Sequence, residues 1–235
     1  MKLLLHGVLV LALAACTQTG NSDTANAQTD STTTTADSTA TDTAAPMTSA
    51  TKPTEEKPMS HYENKIAEVH TTAGQFNLRF FPDVAPGHVK NFIDLSEQGF
   101  FNNTKFHRVI PGFVIQGGDP NTISGNPATW GTGGSPKNLK AEFNAIPHKR
   151  GILSMARSGH PDSASSQFFV CVADVPSLDN QYTVFGEVTQ GMDVVDKIVN
   201  APTGPGDRPV SPVAITKVVV REAQTDAEKA PTPKP

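Results

Sequence analysis

All fifteen aromatic residues of this 235-residue chain (twelve Phe, two Tyr and one Trp) fall between Tyr62 and Phe185. A core forms only where large apolar side chains are available, so the first sixty residues have nothing to build one from. The folded unit is therefore one domain, placed at residues 61–222. A domain of about 160 residues buries roughly 70% of its extended-chain surface and needs no disulfide staples. Over that span Lys and Arg number 14 against 15 Asp and Glu, a net of −1. The basic excess of a nucleic-acid binder is missing.

The start of the chain reads as an address. MKLLLHGVLVLALAAC has a charged Lys2, an apolar run too short to span a bilayer, and small residues ahead of Cys16. Leu13-Ala14-Ala15-Cys16 resembles the bacterial lipobox, in which the peptide is cut before a Cys that is then acylated. The resemblance implies a signal peptide at 1–15, lipidation at Cys16 and attachment to the membrane by more than one acyl chain. Thr17, in place of the Asp that marks inner-membrane retention, implies the outer membrane of a cell envelope. From Thr17 to Ser60, fourteen Thr, seven Ala and five Ser make up 26 of 44 residues, with no aromatic, Ile, Leu or Val. Such a composition predicts a disordered tether from Cys16 to residue 60, reaching roughly 35–40 Å on average. The polar, Pro-rich end at 223–235 is expected to be disordered as well.

Inside the domain, two segments have helical spacing. Val84–Gln98 carries Pro86 near its start, Val89, Phe92 and Ile93 on one face, and Gly99 just past its end. Met192–Asn200 places Met192, Val195 and Val199 on one stripe, with Pro202 beyond. Short or period-two apolar runs dominate elsewhere, at Phe76–Phe80, Phe106–Ile110, Phe113–Gln116, Ile152–Met155, Gln167–Val172, Thr183–Val188 and Ile215–Val220. Many short strands with only two helices predict a mainly β fold, an antiparallel barrel or sandwich. Asp119–Pro136 is a long Gly-, Pro- and Asn-rich surface loop.

Three stretches carry chemistry: FHRVIPGFVIQGGD (106–119), ILSMARSGHPDSASSQFFVCV (152–172) and LDNQYTVFGEV (178–188). Arg108 stands in an apolar strand without an acidic neighbour in sequence. An arginine there either finds a distant carboxylate or faces a site. Together the three stretches resemble the cyclophilin family of peptidyl-prolyl cis–trans isomerases, from about Glu63 to Val220. The resemblance implies a closed eight-stranded antiparallel barrel capped by two α-helices, with a substrate groove on its outside. It matches Arg108 to the catalytic arginine. Phe113, Val114, Gln116, Ala156, Arg157, Gln167, Phe169, Leu178 and Tyr182 match positions that bind substrate. Val114 stands where a Met is usual, Ser177 where eukaryotic members carry a Trp that binds cyclosporin, and Tyr182 where they carry a His. Implied partners are proline-containing polypeptides, met by a monomer on a lipid anchor. A non-catalytic module or chaperone that binds X–Pro segments is the other reading. No metal or cofactor is expected: the seven histidines lack metal-ligand spacing, and bond rotation needs neither. Cys171, in an apolar strand, reads as a packing thiol.

Overall fold

The period-two runs become one eight-stranded antiparallel sheet in the structure, a computed structural model that describes residues 57–234. The signal segment, Cys16 and the tether up to residue 56 lie outside the described residues. The strands are β1 (Lys65–Thr71), β2 (Gly74–Phe80), β3 (Arg108–Ile110), β4 (Val114–Gly117), β5 (Ile152–Met155), β6 (Phe168–Cys171) and β7 (Val184–Gln190). Two short strands, β8 (Thr203–Gly204) and β9 (Arg208–Pro209), pair with each other, and β10 (Ile215–Glu222) completes the main sheet. The order across that sheet is β10-β1-β2-β7-β5-β6-β4-β3.

Helix α1 (Pro86–Glu97) begins on a proline, whose missing N–H is no loss in a first turn. It ends against Gly99 at φ +70°, where the Phe100 N–H reaches back 2.9 Å to the Leu95 carbonyl. Its buried face presents Val89, Phe92 and Ile93 to the sheet. Helix α2 (Met192–Val199) buries Val194, Val195, Ile198 and Val199. Both helices lie within two residues of where the sequence places them.

The closed barrel is corrected. The sheet curls through 204° and stays open between its edge strands β3 and β10. An isolated bridge, Lys105 to Ala214, and three backbone hydrogen bonds, Asn103 N–H to the Ile215 carbonyl (2.7 Å), Ile215 N–H to the Thr104 carbonyl (2.7 Å) and Phe106 N–H to the Val213 carbonyl (3.0 Å), span the seam ahead of β3. The chain leading into β10 carries Pro202, Pro205, Pro209 and Pro212. Prolines donate no N–H, so a continuous ladder cannot run there.

Side chains on successive strand residues point to opposite faces, and here the two faces bury different clusters. Phe168, Val170, Ile115, Leu153, Met155 and Phe185 enter the main core with the helices. Their chain neighbours Phe169, Cys171, Val114, Ile152 and Val184 enter a second cluster, joined at its rim by Phe113, Ala156, Leu178 and Tyr182. That outer cluster is the floor on which the candidate site is built.

The tail behaves differently from its composition. Ala223 donates its N–H to the Asn64 carbonyl at 2.7 Å, and the residues that follow lie against the sheet. Arg221 pairs with both Glu68 and Glu228, and the buried Arg79 donates to the carbonyls of Ala230 and Pro231. Hydrogen bonds from Arg221 and from the Gln224 and Thr225 N–H groups hold the Glu228 carboxyl down at about 2. Charge pairing anchors a segment that has too few apolar side chains to anchor itself.

Candidate active site

The register of β3 and β4 puts Arg108 directly opposite Gln116, and that of β4 and β6 puts Gln116 opposite Phe169. The Arg108 side chain is 35% exposed. Its guanidinium lies over the Phe113 ring at 5.7 Å, and Nη1 is 3.5 Å from the Gln116 Oε1. The distant carboxylate does exist: the Arg108 Nε stands 3.8 Å from the Asp207 Oδ2. Both partners are open to water, and such a pair contributes about 0–1 kcal/mol, too little to hold the guanidinium away from a ligand.

Gln116 and Gln167 form a relay. The Gln116 Nε2 donates to the Gln167 Oε1 at 3.0 Å, which turns the Gln116 carbonyl oxygen toward Arg108. The Gln167 amide donates to the carbonyls of Gly131 (2.9 Å) and Gly133 (2.7 Å). Its two N–H groups are thus spent on fastening the long loop, so Gln167 shapes the site rather than offering donors to it. Asp119, fully buried, ties the same loop from the other side by accepting the N–H groups of Asn121 and Gly131. Gly118 has φ +84°, and a Cβ there would come within 2.4 Å of the Ser166 carbonyl oxygen. The second Gly of the QGGD motif thus lets the strand pass close beside the residues leading into β6.

A cleft of about 610 Å³ opens beside this relay, walled by Gln116, Ala156, Arg157, Gln167 and the loop Gly131–Ser135. It does not include Arg108 or Phe113. The apolar slot formed by Phe113, Phe169, Leu178 and Tyr182 is its neighbour on the same face. Phe169 is 5% and Val114 2% exposed, so they are floor, whereas Phe113, Leu178 and Tyr182 are half-buried walls. The Phe169 and Tyr182 rings meet edge to face at 5.7 Å. The Ala156 N–H is used inside the fold, donating to the Gln167 carbonyl at 2.9 Å. Among the described residues no partner is found for the Arg157 N–H.

Sequence reasoning missed two features. Phe143, 40% exposed, faces Arg157, whose guanidinium lies 5.7 Å from that ring and 4.8 Å from the Tyr182 ring. His148 lies under the slot, its ring stacked on Phe169 at 6.0 Å. Neither stands within a motif. His107, beside Arg108, is buried with both ring nitrogens unpartnered, and burial pushes its pKa below the ordinary histidine value.

The sequence profile described as "Cyclophilin type peptidyl-prolyl cis-trans isomerase/CLD" matches residues 66–220. The chain belongs to the cyclophilin family. A peptidyl-prolyl cis-trans isomerase of Arabidopsis thaliana is 40% identical over 155 residues, covering 65% of this chain and 93% of its own. One from Helicobacter pylori is 43% identical over 153 residues, covering 60% and 89%. Among solved structures, a Cryptosporidium parvum cyclophilin determined in the presence of the dipeptide Ala-Pro has 31% identity and a TM-score of 0.61, covering 67% of this chain and 99% of its own. This cyclophilin is accordingly a peptidyl-prolyl cis–trans isomerase.

Proposed function

We propose that Arg108 is the electrostatic stabiliser of the isomerisation and that the slot beside it receives the prolyl ring. Rotation about a peptide C–N bond costs about 18–20 kcal/mol because resonance is lost. The two X–Pro isomers differ by only about 0.5–1 kcal/mol, yet exchange over tens to hundreds of seconds. A catalyst therefore has to favour the twisted state, in which the prolyl nitrogen regains a lone pair. The Arg108 guanidinium is a fixed, always charged donor for that nitrogen. Phe113, Phe169, Leu178 and Tyr182 hold the ring over the floor that includes Val114. Gln116 and the free N–H of Arg157 grip the substrate backbone on either side, with Ala156 lining the cleft between them and Gln167 keeping that wall in place. An interaction made only in the twisted state accelerates both directions, and about 7 kcal/mol off the barrier is worth about 10⁵-fold.

The cross-strand pairing of Arg108 with Gln116 at the mouth of an apolar slot supports this reading most directly. The expected result of titrating a capped X–Pro peptide into isotope-labelled protein is shifts at Phe113, Gln116, Leu178, Tyr182 and the Arg157 N–H. Shifts confined to the loop 119–136 or to the far side of the sheet overturn the assignment.

The clients, on this proposal, are proline-containing segments of exported proteins, met by a monomer held at the outer membrane through Cys16. The lipobox-like LAAC sequence and the Thr-rich tether support the anchor. Expression with a palmitate analogue labels the wild-type protein and leaves Cys16→Ala unlabelled in the soluble fraction. An unlabelled wild type removes the anchor and leaves the isomerase untouched. The binding-module reading differs in one outcome, peptide binding without turnover, and the family membership favours turnover.

A further inference from the structure

The Arg157 guanidinium stands at the rim of the slot as a cation without a counter-ion. Of the six arginines among the described residues, Arg79, Arg108, Arg150 and Arg221 each pair with a carboxylate. Arg208 lies over the Trp130 ring at 4.9 Å and donates to the Pro127 carbonyl, both on the long loop. Arg157 pairs with neither carboxylate nor phenol. The acidic residues on the two loops it joins are turned to other partners. Asp162 accepts the Ala141 N–H, Asp174 the Arg150 N–H, and the Asp179 Oδ1 both the backbone N–H and the ring of His148.

A guanidinium has five N–H groups in one plane. Three of them are spent on neutral carbonyls. The Arg157 Nε donates to Gln181 at 3.0 Å, and Nη1 donates to Ser158 at 2.9 Å and Gly159 at 3.2 Å. Both N–H groups of Nη2 are left over, and the charge is left whole. The two faces of the plane are taken as well, by the Tyr182 ring at 4.8 Å and the Phe143 ring at 5.7 Å. Three hydrogen bonds and two rings therefore fix the group before any ligand arrives, which lowers the ordering cost of binding. Its open edge lies at the surface, and Tyr182 is the wall it shares with the slot. One ring thus separates the charge from the place of the proline. Neighbouring Cα atoms are about 3.8 Å apart, so the side chain of a residue flanking the proline spans that ring.

We propose that the Arg157 side chain determines specificity: its Nη2 receives the carboxylate of an Asp or Glu that flanks the proline, so acidic X–Pro segments are preferred substrates. The proposal rests on the assignment of the slot to the prolyl ring and adds a charge preference to it. The exposed face of Phe143 gives the CH₂ groups of such a side chain an apolar surface to lie on. Asp207, the other carboxylate at this mouth, stands beside Arg108 and balances that charge, so Arg157 sets the sign of the rim.

The test compares acetyl-Ala-Glu-Pro-Ala-Ala-amide and acetyl-Ala-Ala-Pro-Glu-Ala-amide with their Gln and Lys counterparts. Exchange is read by NMR with the full-length protein in neutral detergent at pH 7.5. In the series whose variable residue falls at the Arg157 end, Glu is expected to exceed Gln in kcat/KM by about three- to fivefold, the upper range for an exposed charge pair. The gain is carried by KM, and Lys falls below Gln. At 1 M salt, where the screening length is about 3 Å, the three peptides converge. Arg157→Gln brings the Glu-to-Gln ratio to one. Lys217→Gln, which removes an exposed charge on β10, leaves the ratio as it was. The comparison of peptides on the wild type is free of any folding defect in the variants. Equal turnover of Glu and Gln peptides in both series overturns the proposal. So does a preference that persists in Arg157→Gln, ignores salt or vanishes in Lys217→Gln. Arg108→Ala separates the two levels. If it turns over like the wild type, the slot assignment falls and this inference with it. If it is inactive and the wild type treats Glu and Gln alike, this inference alone falls.

Discussion

Arg108→Ala lowers kcat/KM for an X–Pro peptide by about 10²-fold or more, with little change in the peptide's dissociation constant. The reason is the timing of the contact. In either planar isomer the prolyl nitrogen shares its lone pair with the carbonyl and accepts no hydrogen bond; only the twisted state offers that lone pair. A donor aimed there stabilises the barrier and neither ground state, which is the signature of lost kcat with binding retained. A charge-assisted hydrogen bond has about twice the strength of a neutral one, and 10²-fold corresponds to about 2.7 kcal/mol. Stability should hardly move, because the Arg108–Asp207 pair is exposed at both ends and worth about 0–1 kcal/mol. Arg108→Lys keeps the charge but loses the planar fork that rests over Phe113 and reaches Gln116, and it should recover only part of the rate. A protease-coupled assay gives the rate and calorimetry gives the binding. Equal turnover by wild type and Arg108→Ala would remove the guanidinium from the mechanism.

Much of this site could be read in the sequence because its parts are short in register. Arg108 and Gln116 sit on two strands joined by the turn Pro111–Phe113, so period two and one tight turn already bring them to one face, while Phe113, outside β4, reaches it from the turn itself. The helices were equally legible from Pro86, Gly99 and the spacing of their apolar faces. Strand β1 was not, since Glu68 and His70 interrupt a short apolar run that its partners β2 and β10 complete. The open seam turns on four prolines whose effect depends on which strand would have to pair there. The tail is held by Arg79 and Arg221, partners more than 140 positions away in one case, and composition carries no such information. His148 and Asp179 are 31 positions apart and meet only because the loops before β5 and after β6 both pass under the slot. Local pattern fixes which face a residue takes. It does not say what that face meets.

The division of the sheet into two faces has a large consequence for stability. Phe92→Ala is expected to destabilise the domain by about 3–5 kcal/mol, the range for removing a fully buried aromatic ring. Phe92 is 0% exposed and stands at the centre of an aromatic cluster. Its ring lies 4.9 Å from Phe101, 5.3 Å from Phe168, 5.5 Å from Phe80 and 5.7 Å from Phe185. It thereby joins α1 to β2, β6 and β7, and its four neighbours come from separate elements that cannot all close on the void. Truncation loses both the transferred surface and the edge-to-face and stacked contacts, each worth about 0.5–1.5 kcal/mol beyond burial. With a total stability of about 5–15 kcal/mol, the midpoint of thermal unfolding should fall by on the order of 10 °C. Turnover per folded molecule, measured well below that midpoint, should stay within about twofold, because Phe168 transmits the loss inward while Phe169, the next residue, faces the slot. Circular dichroism and the isomerase assay on the same sample separate the two effects. Arg108→Ala reverses the pattern, losing rate and keeping the melting temperature, and that contrast holds only if the sheet insulates the site on its outer face from the core on its inner one. A Phe92→Ala protein that melts like the wild type would mean that the helix does not organise the core at all.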